Sequence, residues 1–534
     1  MAGSPQGPAT QAQLVEALRQ AAASSAPSPP RVLETHISYV LLTGTHAYKI
    51  KKAVRLAFLD YSTLASRRHY CELELQLNRR LAPSVYLDVA AITGTPDRPS
   101  LGGEGPVIEY AVRMREFRQE ALLSHMLTEG SLRPEHIDDL AARVAAFHRA
   151  VSVAPPHGQF GIPEDVFTLA ISNFAEARAL FATPSDVEAL DALQDWTEHE
   201  FEVRAGSLQR RRRDGFVREC HGDLHLGNIA LVDGELTVFD CIEFNDEMRW
   251  VDVLSEAAFT AMDLHDRGRS DFAFRFLSAY LEHTGDYGGL DLLRFYLVYR
   301  AMVRAKVAAI RRKQSTERPA EDVLLDESRA YLRLATRLAG SSRPALVIMN
   351  GPSGSGKSTC AERLVERVGA IRIRTDVERK RLHGLEPGAS SSSTLEGGLY
   401  GPIETERTYQ AVRRAARCAV LAGFTAIVDG SFLKRRHREL LREIGNTLRV
   451  PFLIVACTGQ PATLRARVAE RLRGGTDASE AGLAVLERQL STLEPLEADE
   501  IPSSVTWYAD APAAAMEDEI VHMVNQRLRH KSFA

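Results

Sequence analysis

The sequence predicts two dissimilar domains, an α+β N-terminal half and an α/β C-terminal half built on a parallel sheet. Three observations predict this. The chain has 534 residues, too many for one hydrophobic core when about 100–200 residues per domain is usual. Gly351 to Ser358 reads Gly-Pro-Ser-Gly-Ser-Gly-Lys-Ser, a gap-free G-x-x-x-x-G-K-[ST] pattern between a strand-like run and a helix-like run. His221 to Asn228 reads His-Gly-Asp-Leu-His-Leu-Gly-Asn and leads into a hairpin signal, two apolar stretches around Asp233-Gly234. Neither half repeats the other, so the chain is a fusion and not a duplication.

Composition narrows the partners. Lys and Arg total 66 against 70 Asp and Glu, and the net charge of −4 argues against nucleic acid as a partner. The run Arg210-Arg211-Arg212-Arg213 reads as a solvated loop. Cys71, Cys220, Cys241, Cys360, Cys418 and Cys457 contain no C-x-x-C pair, which speaks against a zinc site or a disulfide framework and for a reducing compartment. No apolar run approaches the ~18 residues that span a bilayer. The N-terminus lacks the charged-then-apolar order of a signal peptide. A cytoplasmic protein with no membrane partner is expected.

In chain order, residues 1–30 are rich in Ala, Ser, Pro and Gln and read as a disordered tail, in which Gln11–Ala23 could form a short helix but the flanks cannot bury enough surface to order themselves. Ile37–Leu42 and Ala47–Lys51 predict two strands around the turn Thr43-Gly44-Thr45-His46. Side chains alternate along a strand, so Lys49 and Lys51 share a face. A helix is predicted over Thr63–Leu81 with Tyr70, Leu73, Leu77 and Leu81 as its apolar stripe. Glu74 falls beside that stripe and Glu72 nearly opposite. A carboxylate beside a buried face wants a cation, and Lys49 and Lys51 are both candidates. Val107–Met114 alternates as a strand. Residues 160–215 and 252–338 read as helices, with Phe272, Phe276, Tyr280, Phe295 and Tyr299 as a core stripe.

The Asp233-Gly234 hairpin carries Asn228 back towards Asp240, so Asp223, Asn228 and Asp240 converge on one sheet edge. Asn plus Asp suits Mg²⁺, which takes hard oxygen ligands, and Asp223 is left to accept a proton from a hydroxyl. The spacing is that of the kinase catalytic loop H-R-D-L-x-x-x-N followed by a metal-binding Asp. With Gly in place of Arg, and His225 added, it resembles the aminoglycoside phosphotransferase and choline kinase branch of that superfamily over about residues 35–335. The resemblance implies a protein-kinase-like fold across residues 31–338. It implies Lys49 pairing with Glu74 and holding ATP phosphates, Asp223 as base, and Asn228 and Asp240 on Mg²⁺. It also implies a hinge-like Glu109–Met114. The Thr43–His46 turn departs from the pattern in having one glycine, and Lys51 stays an alternative to Lys49.

Residues 339–344 break the helical pattern and are the predicted linker, with the second domain over 345–534. There, glycines let backbone N–H groups curl around phosphate, and a helix N-terminus adds its positive end. Gly351, Ser353, Gly354, Ser355, Gly356 and Thr359 are the candidate cradle. Lys357 would reach the β- and γ-phosphates and Ser358 would hold Mg²⁺. Ile371–Asp376, Thr425–Asp429 and Leu453–Ala456 read as further strands of a parallel sheet, whose ligands gather at the carboxyl ends. Asp376 is read as base and Asp429 as the metal-side acid, with the reverse left open. Arg465, Arg467 and Arg471 precede Gly474–Ser479, a candidate lid that would bring Arg467 and Arg471 over the transferring group. This half resembles the small P-loop kinases of the gluconate kinase and polynucleotide kinase type.

Together the halves resemble a bifunctional bacterial family that fuses an aminoglycoside-phosphotransferase-like domain to a P-loop (AAA) ATP-binding domain. The resemblance implies two ATP·Mg²⁺ sites, each serving small-molecule hydroxyl acceptors. Two other readings are carried beside it. The first half could be a ligand-sensing module for the second, or the second half a nucleic-acid end kinase or regulatory NTPase.

Overall fold

The computed structural model describes residues 8–23, 29–56, 59–179, 181, 183–314, 318–389, 398–474, 482–511 and 513–530. They form two compact units. The first takes in the described residues of Met1–His136, Phe147–Ile162 and Arg212–Glu256, and the second those of Ile137–Ala146, Pro163–Arg211 and Ala257–Ala534.

The first unit is built on a six-stranded antiparallel sheet. Its spatial order is Arg31–Glu34, Ser38–Leu42, His46–Lys51, Val107–Arg115, Tyr86–Thr95, Arg98–Leu101. The predicted hairpin is present, with Val40 opposite Lys49. Glu109–Met114 is not hinge-like. It lies inside the strand Val107–Arg115, where Ala111–Met114 pair on both sides and Glu109 and Tyr110 pair with Ile92 and Ala91.

The disordered tail is corrected for its described part. Pro8–Ala22 is a helix whose Leu14, Val15 and Leu18 bury against Tyr39, Leu41, Ile50, Ile92 and Ala111. Full burial of such side chains contributes about 2 kcal/mol each, enough to order a short segment. Its Gln11, also buried, donates to Lys51 O at 3.0 Å and to Glu109 at 2.8 Å. The rest of that prediction lies outside the described residues.

The Glu74 helix spans Leu64–Asn78 and starts at Thr63, whose hydroxyl accepts from Ser66 N–H at 3.0 Å, a standard N-cap. Its buried face is Arg67, Cys71, Glu74, Leu77 and Asn78; of the predicted apolar stripe Leu77 is buried, while Tyr70, Leu73 and Leu81 are half-buried. A face this polar can be buried because its charges find partners, described below.

In the second unit a parallel sheet runs in the order Ala370–Arg374, Thr425–Asp429, Leu346–Asn350, Phe452–Thr458, Ser504–Tyr508. The last of these strands was not predicted. Asp376 is not a strand end. The strand stops at Arg374 and Asp376 sits in the first turn of the helix Thr375–Leu382, where a carboxylate complements the helix dipole.

The chain joins the helix Arg318–Ala339 to the strand Leu346–Asn350 across the predicted linker. Yet the compact units do not divide there, because the helix Ser270–Thr284 packs on the P-loop sheet. Arg210–Arg213 is not a solvated loop either. It closes the helix Pro184–Arg213, with Arg211 buried and bidentate to Asp286 at 2.7 Å. Among the described residues no helix is long and apolar enough to cross a membrane.

Candidate functional sites

In the first unit the strand His46–Lys51 aims two lysines at the Glu74 helix. Lys49 Nζ lies 2.8 Å from Glu74 Oε1 and also contacts Asp240. Lys51 Nζ lies 2.7 Å from Glu74 Oε2 and also contacts Glu243. The Tyr61 hydroxyl donates to Glu243 at 2.6 Å. The result is a ladder, Asp240–Lys49–Glu74–Lys51–Glu243, whose two ends lie on one loop. Lys51 is fully buried, whereas Lys49 keeps 11% of its side chain exposed beside the half-exposed Asp240. Of the two lysines, Lys49 is the one with a side chain that reaches solvent, and Lys51 is internal to the fold. Burial pushes Lys49 down, but Asp240 and Glu74 hold it well above its ordinary value. Burial pushes Glu74 up, but Lys49 and Lys51 hold it down to about 2.

The hairpin Ile229–Val232 and Glu235–Val238 pairs as predicted, with Phe239 N–H donating to Asn228 O at 3.0 Å. That bond sets Asn228 next to the chain that enters Asp240. Asn228 Nδ2 donates to Asp223 Oδ2 at 3.0 Å, and His225 Nε2 lies 3.4 Å from the same oxygen. Asp240 has φ +65°, left-handed backbone that costs a non-glycine residue about 1 kcal/mol and is typical of functional sites. The Tyr86 hydroxyl accepts from Asp240 N–H at 3.2 Å, and Asn78 Oδ1 accepts from Cys241 N–H at 2.9 Å.

The loop is anchored from beneath by a buried pair that sequence reasoning missed. Glu256 Oε1 accepts from His221 N–H at 2.7 Å and Gly222 N–H at 2.6 Å, while its other oxygen lies 2.8 Å from His148 Nε2. Burial pushes Glu256 up, but the His148 hydrogen bond leads the interactions that leave it below its ordinary value. Gly222 has φ +90°, and a Cβ there would lie 2.8 Å from Met248 O, so glycine is required.

In the second unit the phosphate-loop helix begins at Lys357. Gly351 has φ +144°, and a Cβ there would lie 2.1 Å from Cys457 O, which explains the first glycine of the motif. Lys357 Nζ donates to Pro352 O at 2.7 Å, within its own loop, and Ser355 Oγ donates to the same oxygen at 2.8 Å. Burial pulls Lys357 below its ordinary value; Cys457, Asp429 and Asp376 oppose that, and Arg471 adds to it. These effects place Asp376, Asp429 and Arg471 within electrostatic reach of the Lys357 ammonium.

Asp429 is buried at its strand end, which raises its pKa. Arg374, Arg372 and Lys357 pull the other way, as does a hydrogen bond from Ser358. Arg467 Nη2 donates to Ala509 O at 2.7 Å, and its Nη1 would lie 3.6 Å from a Cβ on Gly356, so it flanks the loop. Arg465 pairs instead with Glu487 at 2.6 Å on the surface. Ser353 N–H donates to Gln489 Oε1 at 2.7 Å, a contact the sequence did not signal. Thr359 is exposed in the first helical turn. The predicted lid loop, apart from Gly474, lies outside the described residues.

Both donor sets fit Mg²⁺. Asn228 spends its amide N–H on Asp223, which leaves its side-chain carbonyl oxygen as a hard donor, and Asp240 offers a half-exposed carboxylate. Ser358, in the first turn of the phosphate-loop helix, is hydrogen-bonded to Asp429 at the end of its strand.

Comparison with known proteins follows this division. A model of the phosphotransferase enzyme family matches residues 64–296, and a model of an AAA domain matches residues 346–496. The Mycobacterium tuberculosis protein named Uncharacterized protein Rv2004c is 32% identical over 462 residues, covering 86% of this chain and 90% of its own. Uncharacterized protein Mb2027c of Mycobacterium bovis matches to the same extent. This chain belongs to one family with them. It joins a phosphotransferase-family domain of protein-kinase-like fold to a P-loop kinase domain.

Among solved structures, a gluconokinase from Sinorhizobium meliloti is 22% identical, covering 36% of this chain and 99% of its own, with a TM-score of 0.27. A choline kinase from Cryptosporidium parvum is 11% identical, covering 60% of this chain and 96% of its own, with a TM-score of 0.36.

Proposed function

We propose that the chain is an ATP- and Mg²⁺-dependent phosphotransferase with two nucleotide sites, each moving a γ-phosphoryl group to the hydroxyl of a small molecule. One observation carries the reading. Each half holds its own lysine among oxygen donors suited to a Mg²⁺–phosphate complex, Lys49 with Asp240 and Asn228, and Lys357 with Ser358 and Asp429. Two unrelated folds with the same combination on one chain favour two phosphoryl transfers over one.

In the first site Asp223 is the base. It takes the proton as the acceptor oxygen bonds to the γ-phosphorus and the bond to the β–γ bridging oxygen breaks, releasing ADP. Its hydrogen bonds to Asn228 and its neighbour His225 keep the carboxylate oriented towards that proton. Lys49 neutralises phosphate oxygens on the nucleotide side. In the second site Lys357 does the same, Asp376 is the base, and Arg467 and Arg471 offset charge on the transferring group. Bound Mg²⁺ would withdraw charge from the phosphate oxygens, held by Asn228 and Asp240 in one site and by Ser358 and Asp429 in the other.

The test is ATP turnover by wild type, Asp223→Ala, Lys357→Ala and the double variant, with a metabolite extract as acceptor source. Two separable losses support two kinases, and the labelled products identify the acceptors. If Asp223→Ala changes nothing while Lys357→Ala removes all turnover, the first half is a ligand-sensing partner of the second. Labelling of short oligonucleotides instead of metabolites would make the P-loop half a nucleic-acid end kinase.

A further inference from the structure

The helix Ser270–Thr284 lies within the phosphotransferase-family match, yet it packs on the P-loop sheet. It covers that sheet's edge strand, Ala370–Arg374. Ser278 Oγ accepts the outward N–H of Arg372 at 3.0 Å, which satisfies a donor that an exposed edge would leave open. Phe274 packs against the sheet core beside Gly369. Arg275 clamps the helix to Glu366 on the phosphate-loop helix at 2.7 Å and to Asp138.

At the far end of the same helix stands Glu282, which is buried. Its Oε1 accepts from Arg372 Nε at 2.8 Å, and its Oε2 lies 3.9 Å from Arg374 Nη1. Arg374 Nε in turn lies 3.8 Å from Asp429 Oδ2. One guanidinium is therefore shared between Glu282 and the acid that stands beside Ser358.

We infer that Glu282 is a positioning residue for the P-loop site, one that holds Arg374 off Asp429 and so keeps that carboxylate available to Mg²⁺. This rests on the proposed nucleotide site of the P-loop half. The physical argument is competition. A buried guanidinium pairs with whichever carboxylate is charged and near, and a cation and an arginine cannot both own Asp429. With the Glu282 charge present Arg374 is divided between two acids. Without it, Arg374 closes on Asp429 and competes with the metal. A helix from one catalytic half thus sets the metal affinity of the other, and the P-loop half is incomplete when cut at the linker.

The experiment measures ADP affinity in the full chain by calorimetry, with Mg²⁺ and with EDTA, at the site that Lys357→Ala abolishes. The ratio of the two affinities is the readout. Glu282→Gln is expected to lower the ratio about tenfold, the factor that ~1.4 kcal/mol represents, while leaving the EDTA affinity in place. Arg374→Met is expected to raise the ratio on its own and to restore it in the Glu282→Gln background. It reads the same competition even if Glu282→Gln fails to fold.

Arg275→Met loosens the helix without touching Glu282, so it should lower the melting temperature and leave the ratio unchanged. An unchanged ratio in Glu282→Gln, or an equal drop in Arg275→Met, overturns the inference while the nucleotide site stands. A wild-type chain with no Lys357-dependent nucleotide binding overturns the proposed P-loop function and the inference together.

Discussion

The two lysines at the hearts of the two sites are in opposite electrostatic states. Lys49 is over-supplied with anions, lying against Glu74 and Asp240, and is held above its ordinary pKa. Lys357 is under-supplied: its ammonium bonds a neutral carbonyl, and burial pulls its pKa down. The first site therefore presents carboxylates already paired, and under the proposed function a phosphate arriving there would have to displace Asp240 from Lys49. The second presents a cation with incomplete compensation, which a phosphate completes. The two folds store their charge imbalance on opposite sides.

The comparison can be broken or sharpened by four measurements. The largest effect is expected at Lys357, where Lys357→Ala should lower turnover at the P-loop site about 10³-fold, since it removes the buried cation that the proposed function sets against the phosphates. Single-turnover assays check it, and a loss below about tenfold would mean the cation is not used.

Next, Lys51→Met should destabilise the first unit by about 3–5 kcal/mol, because it leaves Glu74 and Glu243 buried against fewer cations. Urea unfolding followed by probes in that unit measures this. A neutral outcome would show that the ladder relaxes freely.

The third concerns acid. Glu74 is held down to about 2 in the fold against an ordinary 4.5, so its contribution is complete above pH 4.5 and is lost as pH falls from 4.5 to about 2. By linkage that is about 3 kcal/mol across the window, and Glu74→Gln should flatten the slope of stability against pH there.

The smallest effect separates the sites most directly. EDTA should weaken nucleotide binding at the first site about tenfold more than at the second, since a cation must first release Asp240 from Lys49, whereas Lys357 accepts phosphate unaided. Equal sensitivity would erase the contrast drawn above.

What could be read in advance differs between the halves for a physical reason. The P-loop is contiguous, and its glycines announce backbone that other residues resist, so Gly351 to Ser358 was legible residue by residue. The Asn228-to-Asp240 hairpin was legible too, because Asp233-Gly234 specifies its own turn. Glu74 was flagged from helical spacing, but its helix also buries Arg67, Cys71 and Asn78, and of the apolar stripe proposed for it only Leu77 is fully buried. The N-terminal helix was misread because Leu14, Val15 and Leu18 are few, and their value appears only against the sheet that receives them. Glu256 and His148 carried no local signal, being 108 residues apart.

The sequence by itself determined the two folds, the phosphate loop and the hairpin turn between Asn228 and Asp240, since each follows from propensities and spacings within a few dozen residues. Tertiary structure alone decided which lysine reaches solvent, since both sit on one strand face and differ only in what covers them. It also decided that a helix of the first domain caps the sheet of the second. Pairings such as Lys51 with Glu243, 192 residues apart, depend on charges meeting in a place that water does not reach, and no local pattern encodes where that place is.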